Sequence, residues 1–248
     1  MTGRLLIGVD DTDDADSRGT GFRARQLGEL LERQGLAAVG GISRHQLLVS
    51  PEIPYTSHNS SACLVAEAPG DAGEALVDAC RRFLLAESAP GADAGLCVAA
   101  WDGVDAAIVD YGVRAKQTML AAAEASTLSQ ERGIRLEGLT GTGGGVIGAL
   151  AAVGLRRAGN DGRCLWLPGL RELAGVHRAA DLLASTGIEA VEDQGGTSVP
   201  PTAHIDVGSW ARPVLRAGRA VLLVEEVSTD EHCEWRVLDR EHLKRLSE

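Results

Sequence analysis

The chain has 248 residues, 44% hydrophobic and 24% charged, which excludes a disordered or fibrous polypeptide and gives length for one large or two modest domains. Its 24 basic against 35 acidic residues leave a net charge of −11, a surface that repels phosphate backbones, so stand-alone nucleic-acid binding is not expected. No segment is apolar enough for a membrane span or signal peptide, and five scattered cysteines form no CxxC pair, so a reducing cytoplasm is the expected setting.

Residues 4–9, RLLIGV, read as a buried strand of the parallel-sheet kind, halted by Asp10. FRARQLGELLERQG is an amphipathic helix stopped at Gly35. Strands are expected over 37–42, 45–49, 62–67 and 95–100, with a helix between the last two opened by Asp71 and Glu74 at capping-box spacing. Residues 104–125 have one helical pattern, and 126–137 fit neither element well, so a domain boundary is placed after Ile134. The run LTGTGGGVIGALAAVGLRRAG starts as a glycine loop and becomes an apolar helix ending at Arg156, Arg157 and Gly159. Beyond it come strand CLWLPG, helix HRAADLLASTG, strand IEAVED and a hairpin of RPVLR with RAVLLVEE turned at Ala217-Gly218.

Three segments carry chemistry. In IGVDDTDDAD, Asp10, Asp11 and Asp13 crowd together where a buried strand leaves its sheet. Such carboxylates repel one another unless a divalent cation neutralises them, and Mg²⁺ held by one or two carboxylates plus substrate phosphates suits the pattern; an acidic surface turn is the plainer reading. An EF-hand fails on spacing, because Ala15 and Phe22 fall where ligands are required. Asp11 and Asp13 also match a DxD phosphatase, with Ala15 out of pattern. Gly141, Thr142, Gly143, Gly144 and Gly145 lead into a helix, offering free N–H groups to an anion or serving as a packing hinge. The loop PEIPYTSHNSS presents Tyr55, His58, Asn59 and Ser60 to a polar substrate, or is only a polar loop. Histidines 45, 177, 204, 232 and 242 lack ligand spacing and read as surface or core residues, and Cys63 and Cys97 as inert core.

IGVDDTD, the IPY of 53–55, GGVIGALAAVG of 144–154 and RPVLRAG of 212–218 occur in an order that resembles the agmatinylcytidine synthetase family of isoleucine tRNA. In that family an ATP-using kinase-type domain of unusual fold is joined to a ferredoxin-like domain, then to an OB domain and a zinc ribbon that grip the tRNA. ATP phosphorylates the C2 oxygen of a cytidine and agmatine displaces the phosphate. The resemblance implies a mixed α/β chain with a kinase-type domain over 1–134 and a ferredoxin-like domain over 135–248, without the two RNA-gripping domains.

It also implies that Asp10, Asp11 and Asp13 hold Mg²⁺ and ATP phosphates. A Cys-Thr-Thr segment of the family is replaced by Gly19-Thr20-Gly21-Phe22-Arg23, and Lys and Arg after the IPY motif by Thr56 and His58. The expected function is therefore Mg²⁺-dependent ATP binding with phosphoryl transfer to a small or unknown acceptor. Asp11, Asp13, Thr20 and Arg23 would be catalytic, and Gly141 to Gly145 with Arg44 would hold nucleotide. The alternatives are a tRNA-modification subunit needing an RNA-binding partner, a non-catalytic nucleotide sensor, or the DxD phosphatase. A homo-oligomer or partner subunit is compatible with any of them, and direct tRNA binding by the isolated chain is not expected.

Overall fold

The first strand, β1 (Thr2–Asp10), is the apolar run legible in the sequence: Leu6, Ile7 and Val9 are fully enclosed. After it come α1 (Thr20–Arg33), β2 (Ala38–Gln46), β3 (Ser60–Pro69), α2 (Gly73–Glu87) and β4 (Gly95–Ala100). The computed structural model describes residues 2–53, 58–70, 73–227 and 233–247, so the expected cap at Asp71 lies outside the described residues. Neighbours run in the order β4-β1-β3-β2, every pair antiparallel. This is the split-βαβ, ferredoxin-like arrangement.

Two expectations are corrected here. β1 is antiparallel to both neighbours rather than parallel, because a continuous apolar run reports burial on two faces and not strand direction. The strands expected at 37–42 and 45–49 are one strand, β2, whose pairing with β3 shifts register between Val39 and Gly41. The four strands of this arrangement lie within residues 2–100.

The chain continues through α3 (Ala106–Arg114), α4 (Ala122–Glu131), β5 (Arg135–Gly138) and α5 (Val146–Ala158). The single helix expected over 104–125 is two, and both present side chains such as Ile108, Tyr111 and Ala125 to one apolar core. β5 extends the sheet beside β4. α5 crosses the sheet so closely that a Cβ on Gly8 would sit 2.0 Å from the Ala149 carbonyl oxygen, and one on Gly95 2.1 Å from the Gly145 backbone. Small residues on facing surfaces let helix and strand backbones meet.

Contacts divide the chain into two units, residues 1–158 and 159–248. The division falls beyond the expected boundary after Ile134, since α5 packs its Ala149 to Val153 segment into the first unit's core. The second unit has β6 (Arg163–Trp166), β7 (Val176–Arg178), α6 (Ala179–Ser185), β8 (Ala190–Glu192), β9 (His204–Asp206), β10 (Val214–Arg216), β11 (Arg219–Glu226), β12 (Trp235–Val237) and α7 (Arg240–Ser247). Its strands run β6-β10-β11-β12-β9-β7, with β8 parallel to β11. The expected hairpin is present, its turn made by Ala217 and Gly218 at φ 50 and 81. Among the described residues no helix is long and apolar enough to cross a membrane.

Candidate functional site

Strand register gathers most of the sequence candidates at one end of the first unit's sheet. Asp10 stands opposite Gly95, Val9 opposite Ala62, and Gln46 opposite Ser60. The ends of β1 and β2 and the beginnings of β3 and β4 therefore share an edge. The start of α5 lies on it: a Cβ on Gly148 would fall 1.8 Å from the Asp10 carboxylate, and one on Gly145 3.0 Å from the Asp10 carbonyl oxygen.

The acids here are crowded. Burial, then the charges of Asp11 and Asp13, push the Asp10 carboxyl up to about 8. Asp11 is raised by burial first and by Asp93 and Asp13 next, and its backbone takes the left-handed φ of 51. Asp13 instead accepts hydrogen bonds at Oδ1 from the Thr20 N–H at 2.9 Å and the Thr20 hydroxyl at 2.8 Å. Thr12, fully buried, donates its N–H and its hydroxyl to Thr20 Oγ1 at 3.2 Å. The acidic loop is thus tied to the first turn of α1, with Thr20 at the knot.

Asp93 is the site residue that the sequence reading missed. It precedes β4 in a segment that looks like an ordinary polar turn, and no spacing rule links it to Asp10. Its carboxylate accepts the Thr142 N–H and hydroxyl, each at 2.6 Å, and its carbonyl accepts the Gly145 N–H at 2.8 Å. The Gly-rich loop wraps it so tightly that a Cβ on Gly141, already at φ 56, would lie 1.7 Å from Asp93 Oδ1. Two donors that could meet a phosphate are thereby held by a carboxylate, as the positive end of a helix favours. The same loop, with Ala122, Ser126 and Val146, lines a cleft of about 380 Å³.

The remaining candidates separate. Arg44 Nε donates to Ser60 Oγ at 2.8 Å, and Asn59 donates to the Leu48 carbonyl at 2.7 Å while its own carbonyl accepts from Leu47 and Gln46. These residues stand at the same edge and brace the loop that joins β2 to β3. His58 is exposed, and Tyr55 and Thr56 lie outside the described residues. Arg23 is not joined to the acids: its Nη1 pairs with Glu87 at 3.0 Å and donates to Gln26 at 2.9 Å, because Arg23 sits on the side of α1 that meets α2. His45 is a core histidine, fully buried with Nε2 2.8 Å from Ser43 Oγ.

Among the described residues no three His, Cys, Asp or Glu side chains are gathered as metal ligands, so Asp10, Asp11 and Asp13 do not form a ready cage. The donors at this edge are nonetheless all oxygen, and like charges raise both Asp10 and Asp11. That fits an ion taking one or two carboxylates and completing its shell with water and a ligand's phosphates.

No protein-family profile and no curated protein matches the chain. Among solved structures it is similar to TiaS in complex with an isoleucine tRNA and ATP, at 28% identity and a TM-score of 0.54 over 61% of this chain and 36% of that one. It is similar too to apo TiaS, an agmatidine synthetase of isoleucine tRNA, at 28% identity and TM-score 0.53 over 61% and 35%. A tRNA fluorescent labeling enzyme gives 29% identity and TM-score 0.54 over 61% and 36%. The match spans little more than a third of each solved chain, and what it establishes is that this mixed α/β protein shares a TiaS-like fold over 61% of its length.

Proposed function

We propose that the first unit binds ATP with Mg²⁺ at the edge formed by Asp10, Asp11, Asp13, Asp93 and the loop from Thr140 to Gly145, and transfers a phosphoryl group to a small acceptor. The observation that carries this reading is the convergence of four carboxylates and a glycine loop at one edge of a fold shared with TiaS, which has been captured with ATP. When bound, the cation would neutralise phosphate charge as it shifts between donor and acceptor. Asp11 is the carboxylate best placed to hold it, since Thr20 engages Asp13 and Thr142 engages both oxygens of Asp93, with Asp10 beside it at the end of β1. Arg44, Asn59 and Ser60 border the same edge from the β2–β3 side and would face the acceptor.

One observation favours a second reading, a nucleotide sensor without turnover: Asp93 already occupies the Thr142 N–H and hydroxyl. Thermal melting with Mg²⁺ and ATP, ADP or GTP tests the first step, because a ligand at about 100 times its Kd adds about 2.7 kcal/mol to the folded state. Asp11→Asn is the control, since asparagine tolerates the left-handed backbone at this position. A rise with ATP that the variant abolishes supports the site, and an unchanged rise in the variant overturns it. Phosphate release then separates turnover from sensing.

A further inference from the structure

At the end of the first unit's sheet away from the acids, and independent of the ATP reading, guanidinium groups gather around one tryptophan. Arg4 lies six residues before Asp10 on β1, about 20 Å away at the rise of a strand. Leu5 stands opposite Ala100, so the single turn Trp101–Gly103 that follows β4 comes beside Arg4. α5 runs back across the sheet from Asp10 and ends here, with Arg156 and Arg157 in its last turn. The Arg4, Arg157 and Arg156 guanidinium carbons lie 3.7, 5.2 and 5.5 Å from the centre of the Trp101 ring.

Arg156 differs from the other two. It is 8% exposed, and its Nη1 is enclosed without a hydrogen-bond partner among the described residues. Arg157 donates from Nε to the Trp101 carbonyl at 3.3 Å, which uses one of its five donors. Neither Arg156 nor Arg157 makes an ion pair among the described residues. The negative end of α5 and the face of the tryptophan ring account for two charges being held here. They do not account for the bare donor, because attraction to a ring face takes up none of the N–H groups that a stacked guanidinium carries in its plane. A buried charged donor with nothing to bond is costly, and native proteins fill such a place with water or an ion.

We infer that Arg156 and Arg157 hold a small oxyanion of the phosphate or sulfate class beside Trp101, with Arg156 Nη1 as the inner donor. Planar forks of N–H groups match the paired oxygens of such an anion. Nη1 is enclosed, so what reaches it is a single small group and not the backbone of a polymer. Arg4, closest to the ring, walls the site at the start of β1. A bound anion joins the end of α5 to the turn after β4, and it stabilises the folded chain by mass action.

The test is thermal melting of the full chain in EDTA, titrated with sodium phosphate and sodium sulfate against sodium chloride of equal ionic strength, with tryptophan fluorescence read in parallel. EDTA keeps divalent cations off the acidic edge, so failure here and failure of the Mg²⁺–ATP site are read separately. A saturable rise in midpoint with phosphate or sulfate is expected, together with a fluorescence change that Trp101→Phe removes. A response to both anions supports the shared tetrahedral oxyanion, and a response to one alone names it. Arg156→Met drops the unmet buried donor, so it is expected to melt no lower than the parent in chloride and to lose the saturable rise. Arg157→Gln, on the less buried neighbour, should weaken binding about tenfold, the worth of one charge-assisted hydrogen bond. A rise linear in concentration is the general effect of an excluded salt and would overturn the inference. So would a midpoint equal in all three salts, as a water at Nη1 predicts, or a saturable rise retained in Arg156→Met.

Discussion

The Asp93 carboxylate takes both the N–H and the hydroxyl of Thr142 at 2.6 Å, so a side chain from the loop before β4 fills the donor pair at the head of the Gly-rich loop. Asp93→Ala removes those two bonds and keeps the one from the Gly145 N–H to the residue 93 carbonyl. The expected cost is about 1–2 kcal/mol of stability. Amide hydrogen exchange at Thr142 should accelerate while Gly145 stays protected; equal acceleration at both would mean that the whole loop, not one cap, has been lost.

The meeting of β1 with α5 leaves no room for a methyl group at residue 8. Gly8→Ala would set its Cβ 2.0 Å from the Ala149 oxygen, a backbone atom that can yield only if α5 moves. Urea unfolding should show a loss of about 3 kcal/mol. Gly3→Ala, on the same strand with nothing within 4 Å, should stay within about 0.5 kcal/mol of the parent.

At Gly148 an added Cβ meets the Asp10 carboxylate at 1.8 Å and the Leu47 side chain at 3.0 Å. Both are ends of rotatable side chains, so Gly148→Ala should fold and displace Asp10. The expected result is a near-parent melting midpoint with loss of the Mg²⁺–ATP shift. Retention of the full shift would remove Asp10 from the site.

Asp105 caps α3, accepting from the Ile108 and Ala107 N–H groups at 3.2 and 3.0 Å and from Arg132 at 3.2 Å. The Ile108 bond first, then Arg132, holds its carboxyl below the usual 3.8. The unfolded chain therefore binds the proton more readily, and the stabilisation is fully present above the unfolded value and lost as pH falls through the folded one. Asp105→Ala should melt lower than the parent at neutral pH, the gap closing as the solution is acidified. A gap constant with pH would show that the carboxylate's charge contributes nothing.

All five cysteines are buried thiols, and burial pushes those of Cys63 and Cys80 up to about 12. Ellman's reagent should find no thiol in the native protein and all five after denaturation. Rapid native labelling would contradict the packing of β3 and α2.

Local physics made much of this molecule legible in one dimension. An apolar run ended by Asp10, a glycine loop opening a helix, and Ala217-Gly218 between two strands each act within a few residues, where the chain's own chemistry decides the outcome. The acidic motif and the glycine loop could be singled out as candidate sites, although not as neighbours. Strand direction could not be read, because two-sided burial produces the same apolar run in parallel and antiparallel sheets. Asp93 was hidden for another reason: a single acid in a turn has no signal until register sets β4 beside β1 and lays α5 across them. Sequence by itself determined the main strands, helices and turns; tertiary structure decided their exact extents and which distant charges share a surface, because hydrogen-bond register and side-chain packing act between residues that the chain keeps apart.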